Sequence, residues 1–204
     1  LKINKKKFIY LISPNKISNL FYNNLKLVLK TGKVSFFQLR LKSYSQNRKM
    51  IIGEKIKNIC KKNRVKFIVN DDPMLALKLD ADGCHLGQKD MNIKKAKKIL
   101  GKKIIGITCH NSINLAKKAI KAKADYIAFG AFNQSKTKKT KFVASVKILN
   151  KVKKLTKTPT VAIGGINAVN YKNILLNNAN FLAISGYIWK NKKYKPLQAI
   201  KRLK

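Results

Sequence analysis

The chain has 204 residues, which is long enough for a domain with a sizeable core. Hydrophobic residues make up 45% of it, a larger fraction than is typical of disordered proteins. The 47 lysine and arginine residues against seven acidic ones give a net charge of +40. No apolar run approaches the roughly 18 residues of a membrane-spanning helix, and no signal-peptide pattern opens the chain, so we expect neither a membrane protein nor a secreted one.

Short apolar, β-branched segments alternate with longer lysine-rich amphipathic segments from one end of the chain to the other. The predicted strands are residues 8–13, 36–41, 65–70, 83–86, 103–108, 126–129, 160–163 and 181–184. The predicted helices are residues 20–29, 92–100, 113–122, 143–152 and 171–176. Strands that alternate with helices, without a linker, predict an α/β fold: a single (β/α)8 barrel over residues 1–204. An open doubly wound sheet is the alternative, although no GxGxxG follows the first strand.

The carboxyl end of the second predicted strand is polar at every other position. Gln38, Arg40 and Lys42 alternate with Leu39 and Leu41, and a period of two would place the three polar side chains on one face of the strand. Arginine offers a planar fork and lysine a point charge, which together suit a diphosphate ligand. The alternative is an exposed edge strand.

Acidic residues are scarce and clustered, because five of the seven lie between positions 71 and 90. Asp71 and Asp90 follow the third and fourth predicted strands, which are neighbours in a barrel. These two are therefore the candidates for a Mg²⁺ site completed by substrate phosphates. Asp72 precedes a proline and is a candidate helix cap, and Asp80 and Asp82 are interpreted as cap or turn residues.

Histidine and cysteine give no nucleophilic site. His85 and His110 follow apolar strands with no obvious nucleophile beside them, so structural hydrogen bonding is the favoured interpretation for both. Cys60, Cys84 and Cys109 have no CxxC spacing, which argues against disulfides and zinc and for a reducing compartment. We therefore expect a cytoplasmic protein.

Glycines follow the last two predicted strands. Gly164-Gly165 precedes a predicted helix, so its backbone N–H groups, helped by the helix N-terminus, are candidates for a phosphate site that Ser185-Gly186 would complete. The alternative is a packing glycine in a tight turn. Residues 133–139 predict a phosphate-seeking lid, for which a plain solvated loop is an equal alternative.

The basic excess is spread over the whole chain and comes with no zinc finger, RNP-like motif or basic-region zipper. We interpret it as a solvated lysine surface and expect no specific nucleic-acid partner; a selected polyanion-binding surface is the alternative. Anionic small molecules would be attracted in either case. The sequence is also compatible with a homo-oligomer.

Eight segments, in consistent order along almost the whole chain, resemble one enzyme family. They are FQLRLK, VNDDPMLAL, ADGCHLGQKD, IIGITCHN, ADYIAFGAF, SKTK, VAIGGI and LAIS. In these segments the chain is similar to the thiamine phosphate synthases, and HLGQ-x-D and ND-x-x-x-LAL are the most discriminating. The resemblance implies a (β/α)8 transferase that joins a pyrimidine diphosphate to a thiazole phosphate and releases diphosphate, with Mg²⁺ as cofactor and small molecules as partners.

The resemblance also implies a role for each matching position. The implied metal ligands are Asp71 and Asp90, and the implied catalytic residues are Arg40, Lys42, Thr108 and Lys138. The implied substrate-binding residues are Gln38, Leu39, Arg40, Leu41, Lys42, Asn70, Thr108, Ser135, Lys136, Thr137, Lys138, Gly165, Ile184 and Ser185. Within this set, the residues implied to bind the pyrimidine diphosphate are Gln38, Arg40, Lys42 and Asn70. The residue implied to contact the leaving diphosphate is Lys138. The groups implied to bind the thiazole phosphate are Ser135, Thr137, the Gly165 backbone and the turn at 184–185.

The chain departs from the family pattern at two places. Thr108 stands where the family usually has serine, which keeps the hydroxyl and adds a methyl group. The loop at 130–138 lacks two of the family's prolines, which should loosen this lid. Thiazole tautomerases of the same fold are an alternative, but they lack much of the diphosphate apparatus, which is present here and favours the synthase.

Overall fold

The computed structural model describes residues 7–133 and 143–204, and its strands form one closed parallel barrel. The strands are β1 (Ile9–Ile12), β2 (Val34–Leu39), β3 (Lys66–Asn70), β4 (Gly83–Leu86), β5 (Ile104–His110), β6 (Tyr126–Gly130), β7 (Thr160–Ile163) and β8 (Phe181–Ile184). Each strand pairs with the next, and β8 pairs with β1. The predicted barrel is therefore confirmed, and the alternative of an open sheet is wrong.

Helices connect the strands on the outside of the barrel. They are α1 (Asn19–Leu29), α2 (Gln46–Lys62), α3 (Pro73–Lys78), α4 (Ile93–Leu100), α5 (Ile113–Lys121), α6 (Lys147–Leu155), α7 (Tyr171–Leu176), α8 (Gly186–Trp189) and α9 (Pro196–Lys201). Helix α6 begins four residues later than predicted, because the N–H of Ala144 donates to the Ala131 carbonyl at 2.7 Å and holds this stretch outside the helix. Within the described ranges, no helix is long and apolar enough to span a membrane.

Side chains from alternate strand positions fill the barrel interior. The inward-facing buried set is Tyr10, Ile12, Phe36, Ile68, Tyr126, Ala128, Val161, Phe181 and Ala183. The intervening positions face outward and pack beneath the helices in a larger second core. Phe36 meets Tyr10 and Phe181 edge-on, with ring centroids 5.2 and 5.1 Å apart. Because the interior is packed, ligands are restricted to the ends of the strands.

Three polar residues tie neighbouring strands together at the amino ends of the strands. Asp82, Asp125 and Asn180 directly precede β4, β6 and β8. Each uses its own N–H and its side-chain oxygen to bind the carbonyl and the N–H of one residue in the preceding strand, at 2.8–3.0 Å. The three partners are Phe67, Ile105 and Thr160. Asp82 therefore has a structural role, as expected, but it binds the backbone of a strand and not that of a helix or turn as predicted.

Replacing Asp125 with alanine should lower the free energy of unfolding by about 1–3 kcal/mol, because the buried N–H of Ile105 loses its acceptor. Asp125→Asn is the matched control, since an amide oxygen can accept the same bond, as Asn180 already does for Thr160 at 2.8 Å. Urea unfolding of the two variants checks this. Equal losses for alanine and asparagine would mean that charge, not the hydrogen bond, matters here.

Candidate active site

Two carboxylates meet at the carboxyl ends of β3 and β4. Asp71 follows β3 directly in a left-handed backbone conformation, with φ at 66°, and its N–H donates to the His85 carbonyl at 2.8 Å. Asp90 turns back toward the strand because the Gly87 N–H donates to its Oδ2 at 2.7 Å. A Cβ at Gly87 would lie 2.9 Å from that oxygen, so glycine leaves the space in which the carboxylate is held.

The environment of Asp71 favours a bound cation. Burial, and then the neighbouring carboxylate of Asp90, raise the pKa of Asp71, against the opposing effect of Lys42 and Arg40. The Lys42 Nζ atom lies 3.6 Å from an Asp71 carboxylate oxygen but is itself largely exposed. Two half-buried carboxylates side by side are costly unless a positive charge compensates them, and a divalent cation would do so.

The donor set fits Mg²⁺. Magnesium uses one or two protein carboxylates and completes its shell with waters and substrate phosphates. In the described parts of the chain, no group of three or more His, Cys, Asp or Glu side chains is arranged to hold a metal ion. The pair therefore matches a hard cation shared with a phosphate ligand better than an all-protein zinc cage.

The other five acidic residues all have structural partners. Asp72 caps α3 by accepting the Leu75 N–H at 2.9 Å, as the sequence predicted. Asp80 pairs with Lys103 at 2.6 Å and Glu54 with Lys57 at 3.1 Å. Asp82 and Asp125 bind strand backbones, as described above. Asp71 and Asp90 are thus the two carboxylates that the fold leaves for the strand-end site.

The expectation that Gln38, Arg40 and Lys42 share one strand face is wrong. Strand β2 ends at Leu39, so only Gln38 belongs to it, and Gln38 is buried with 3% of its surface exposed. Beyond Leu39 the chain turns toward α2, and the Lys42 side chain is 61% exposed. The edge-strand alternative is also wrong, because β2 is hydrogen-bonded to β1 and to β3.

A cleft of about 530 Å³ opens between the segments that follow β2, β3 and β4. The predicted site residues that line it are Leu39, Leu41, Lys42, Asn70, Asp71 and Asp90. Gln38, Arg40 and Thr108 do not line this cleft but belong to the same end of the barrel. The structure therefore brings the predicted metal ligands and part of the predicted diphosphate site to one opening.

Sequence reasoning missed Ser13, which follows β1 directly. Its hydroxyl accepts the Arg40 N–H at 2.9 Å, and its N–H donates to the Gln38 carbonyl at 2.9 Å. Its carbonyl accepts the Ser185 hydroxyl at 3.2 Å. Ser13 thus fixes the backbones of two predicted site segments, and its position at a strand end was the available signal.

Thr108 lies at an irregularity in β5, where the pairing register with β6 shifts between Thr108 and His110. Its hydroxyl is 2.9 Å from His85 Nε2, and its carbonyl accepts a hydrogen bond from the Gln88 side chain. Burial lowers the pKa of His85 to about 4, so this imidazole is neutral at pH 7. A neutral, hydrogen-bonded His85 agrees with the structural role predicted for it.

The turn after β7 needs both of its glycines. Gly164 and Gly165 have φ of 104° and 61°, and a Cβ at Gly165 would lie 2.6 Å from the Cβ of Asn133. Helix α7 begins only at Tyr171. The prediction that a helix N-terminus directly follows the glycines and contributes to a phosphate site is therefore wrong. The neighbouring strand β8 ends at Ile184, and Ser185 directly follows it.

Four predicted site residues lie outside the described residues. They are Ser135, Lys136, Thr137 and Lys138. On the near side of this segment, the Asn133 N–H donates to the Gly164 carbonyl at 3.2 Å. On the far side, Ala144 is tied to Ala131 at the end of β6. Both flanks of the segment therefore start from the same end of the barrel as the carboxylate pair.

Comparison with known proteins places the chain in a family. Residues 9–188 match the family described as thiamine monophosphate synthase, which is most of the barrel. The chain belongs to this family. The resemblance inferred from the sequence is thereby confirmed, and the family is one of transferases.

Relatives within the thiamine monophosphate synthase family span the full barrel. A thiamine-phosphate synthase of Pelagibacter ubique is 67% identical over 204 residues, covering 100% of this chain and 98% of that protein. One of Erythrobacter litoralis is 39% identical over 94% of this chain and 92% of that protein. The solved structure of thiamine phosphate pyrophosphorylase from Pyrococcus furiosus has a TM-score of 0.86 and 28% identity, covering 98% and 94% of the two chains.

Proposed function

We propose that the chain condenses 4-amino-2-methyl-5-(diphosphooxymethyl)pyrimidine with a thiazole phosphate, in a Mg²⁺-dependent reaction that yields thiamine phosphate and diphosphate. The observation that carries the proposal is the Asp71–Asp90 pair, two adjacent carboxylates that lie beside Lys42 at a strand-end cleft. Membership of the thiamine monophosphate synthase family supports the same reaction. The relatives' names denote that product.

In this proposal the pyrimidine diphosphate lies across the ends of β2, β3 and β5. Asp71 and Asp90 would hold Mg²⁺, which would supply positive charge to neutralise the departing diphosphate. Arg40 and Lys42, carried by the turn after β2, bind diphosphate oxygens from the protein side. Lys138 is proposed to join them from the segment outside the described residues. The buried amide of Gln38 and that of Asn70 orient the pyrimidine.

The thiazole phosphate is proposed to bind on the opposite side of the mouth. The backbone of Gly165, the turn at 184–185 and the segment carrying Ser135, Lys136 and Thr137 would hold its phosphate. A Cβ at Gly165 would clash with Asn133, so this position requires glycine. The Gly165 backbone N–H, and not a side chain, would then contact the phosphate. Anchoring the phosphate in this way holds the thiazole nitrogen over the pyrimidine methylene.

The chemistry is a dissociative substitution at the exocyclic methylene of the pyrimidine. The bond from carbon to the diphosphate oxygen breaks, and the electron pair leaves with diphosphate. The aminopyrimidine spreads the resulting positive charge until the lone pair of the thiazole nitrogen forms the new carbon–nitrogen bond. Charge stabilisation and positioning perform such a reaction, so a protein nucleophile is not required.

The purified chain, stripped of divalent ions with a chelator, should release diphosphate and form thiamine phosphate only when both precursors and Mg²⁺ are added. Product formation measured by chromatography, with each component omitted in turn, checks this. Turnover that continues unchanged without divalent ions would contradict the metal assignment. Isomerisation of a thiazole carboxylate phosphate without any pyrimidine substrate would instead support the tautomerase alternative.

A further inference from the structure

A continuous chain of hydrogen bonds crosses the barrel interior beneath the mouth. The Gln38 amide nitrogen donates to the Tyr10 hydroxyl at 3.0 Å, and that hydroxyl is 2.7 Å from the Tyr126 hydroxyl. The Tyr126 hydroxyl lies 3.0 Å from His85 Nδ1, and His85 Nε2 lies 2.9 Å from the Thr108 hydroxyl. The two ends, Gln38 and Thr108, are proposed substrate contacts, whereas the three residues between them have no role in the proposed function.

These three middle residues are well shielded from water. Tyr10 and Tyr126 are each 1% exposed and His85 is 7% exposed. The His85 and Tyr126 rings stack with centroids 5.6 Å apart and an angle of 14° between their planes. A buried polar group without a partner is costly, and the hydrogens in this chain must therefore be arranged so that each has an acceptor.

The direction of donation follows from this requirement. With the Gln38 amide nitrogen as the donor to Tyr10, the hydrogens run toward Gln38 if His85 carries a hydrogen on Nδ1, and toward Thr108 if its only ring N–H is at Nε2. If they ran toward Gln38, the Tyr10 oxygen would accept two bonds, and its own hydrogen would have no acceptor among the described contacts. If they run toward Thr108, every hydroxyl between Gln38 and His85 both accepts and donates.

We propose that Tyr10, Tyr126 and His85 are positioning residues that direct the Thr108 hydroxyl: its oxygen accepts from His85 Nε2–H, and its hydrogen points to an acceptor on the bound pyrimidine diphosphate. This inference rests on the proposed function. The β-branched side chain of threonine restricts rotation about χ1, which keeps the hydroxyl in one orientation. A donor that is already oriented costs no reorganisation when charge develops on the substrate.

The first test reads the tautomer of His85 in the ligand-free wild-type protein by side-chain ¹⁵N NMR. The chain has two histidines, so a His110→Gln variant assigns the two imidazole signals. The proposal requires the Nε2–H tautomer at pH 7. An Nδ1–H tautomer would reverse the chain of donors and overturn it. This measurement needs neither turnover nor a substitution at any of the hydrogen-bonded residues from Gln38 to Thr108.

The second test removes single hydroxyls. Tyr126→Phe should leave His85 without its donor, convert its signal to a mixture of tautomers, and lower kcat about three- to tenfold with an unchanged KM for the thiazole phosphate. Tyr171→Phe is the matched control, since it removes a buried tyrosine hydroxyl that donates to the Lys204 carbonyl at 2.7 Å, outside this chain of bonds. The control should keep wild-type kcat and the wild-type His85 signal.

The third test asks whether the effect passes through Thr108. Thr108→Val removes the terminal hydroxyl while keeping the side chain's shape, and in that background Tyr126→Phe should lower kcat no further. Independent, multiplying losses would refute the positioning role while leaving the proposed function intact. Absence of synthase turnover in the wild type would instead refute the proposed function, whichever tautomer the NMR measurement gives.

Discussion

Replacing Asp71 or Asp90 with asparagine is expected to lower kcat by about a hundredfold or more. Asparagine preserves size and one oxygen but removes a negative ligand from a hard cation. Since the cation is needed most as the diphosphate departs, the loss should fall on turnover at least as strongly as on substrate binding. Asparagine also tolerates the φ of 66° at position 71, so the backbone there need not change. Steady-state kinetics over a range of Mg²⁺ concentrations measures the effect.

Asp80→Asn is the control for this pair. The Asp80 carboxylate is 82% exposed and pairs with Lys103, away from the strand-end cleft. The kcat of the Asp80→Asn variant should therefore equal that of the wild type. The two-aspartate metal site would be wrong if Asp71→Asn and Asp90→Asn kept wild-type turnover at limiting Mg²⁺ and saturating substrates.

Stability provides a second readout for Asp71→Asn. Because burial and Asp90 raise the pKa of Asp71 in the folded state, its ionised form destabilises the fold as the pH rises above the unfolded value of about 3.9. In protein freed of divalent ions, Asp71→Asn should therefore unfold at a higher temperature than the wild type at pH 7. The difference should vanish below about pH 4, where Asp71 is protonated in both states. Thermal unfolding followed by circular dichroism at the two pH values checks this.

The sequence specified the barrel because each buried strand is a short apolar run, and such runs are visible without knowing their partners. Helix α2 escaped prediction since Gln46–Lys62 is mostly polar and buries only a narrow stripe that includes Ile52, Ile56 and Ile59. The error at Arg40 and Lys42 has a similar cause. Alternation predicts a strand face only while the strand continues, and nothing in residues 38–42 indicates that pairing stops at Leu39.

Hydrogen bonds between distant parts of the chain could not be predicted from the sequence. Tyr10 and Tyr126 share a hydrogen bond across 116 positions, and neither sequence segment indicates a polar partner for the other. The repeated Ala-Asp or Ala-Asn pairs before β4, β6 and β8 were visible in the sequence, but their significance depends on strand neighbours. By contrast, the convergence of Asp71 and Asp90 was predictable, because residues that follow adjacent parallel strands lie at the same end of the barrel.

Gly106→Ala should destabilise the barrel by overpacking its interior. A Cβ at Gly106 would overlap the ring of Tyr126, which cannot retreat because Tyr10 and His85 hold its hydroxyl. Overpacking of this kind costs about 1–3 kcal/mol, and for a chain of this size the thermal midpoint falls by about 2–4 °C for each kcal/mol. Differential scanning calorimetry would measure the shift.

Two comparisons isolate the cause of this loss. Gly186→Ala is the control, because a Cβ there meets nothing within 4 Å and its φ is ordinary, so its midpoint should stay near the wild-type value. In a Tyr126→Leu background, Gly106→Ala should cost much less than it does alone, because the added methyl group then occupies space that the ring has left. Additive losses in the double variant would show that the Tyr126 ring is not what excludes a side chain at Gly106, and that the strand itself needs glycine there.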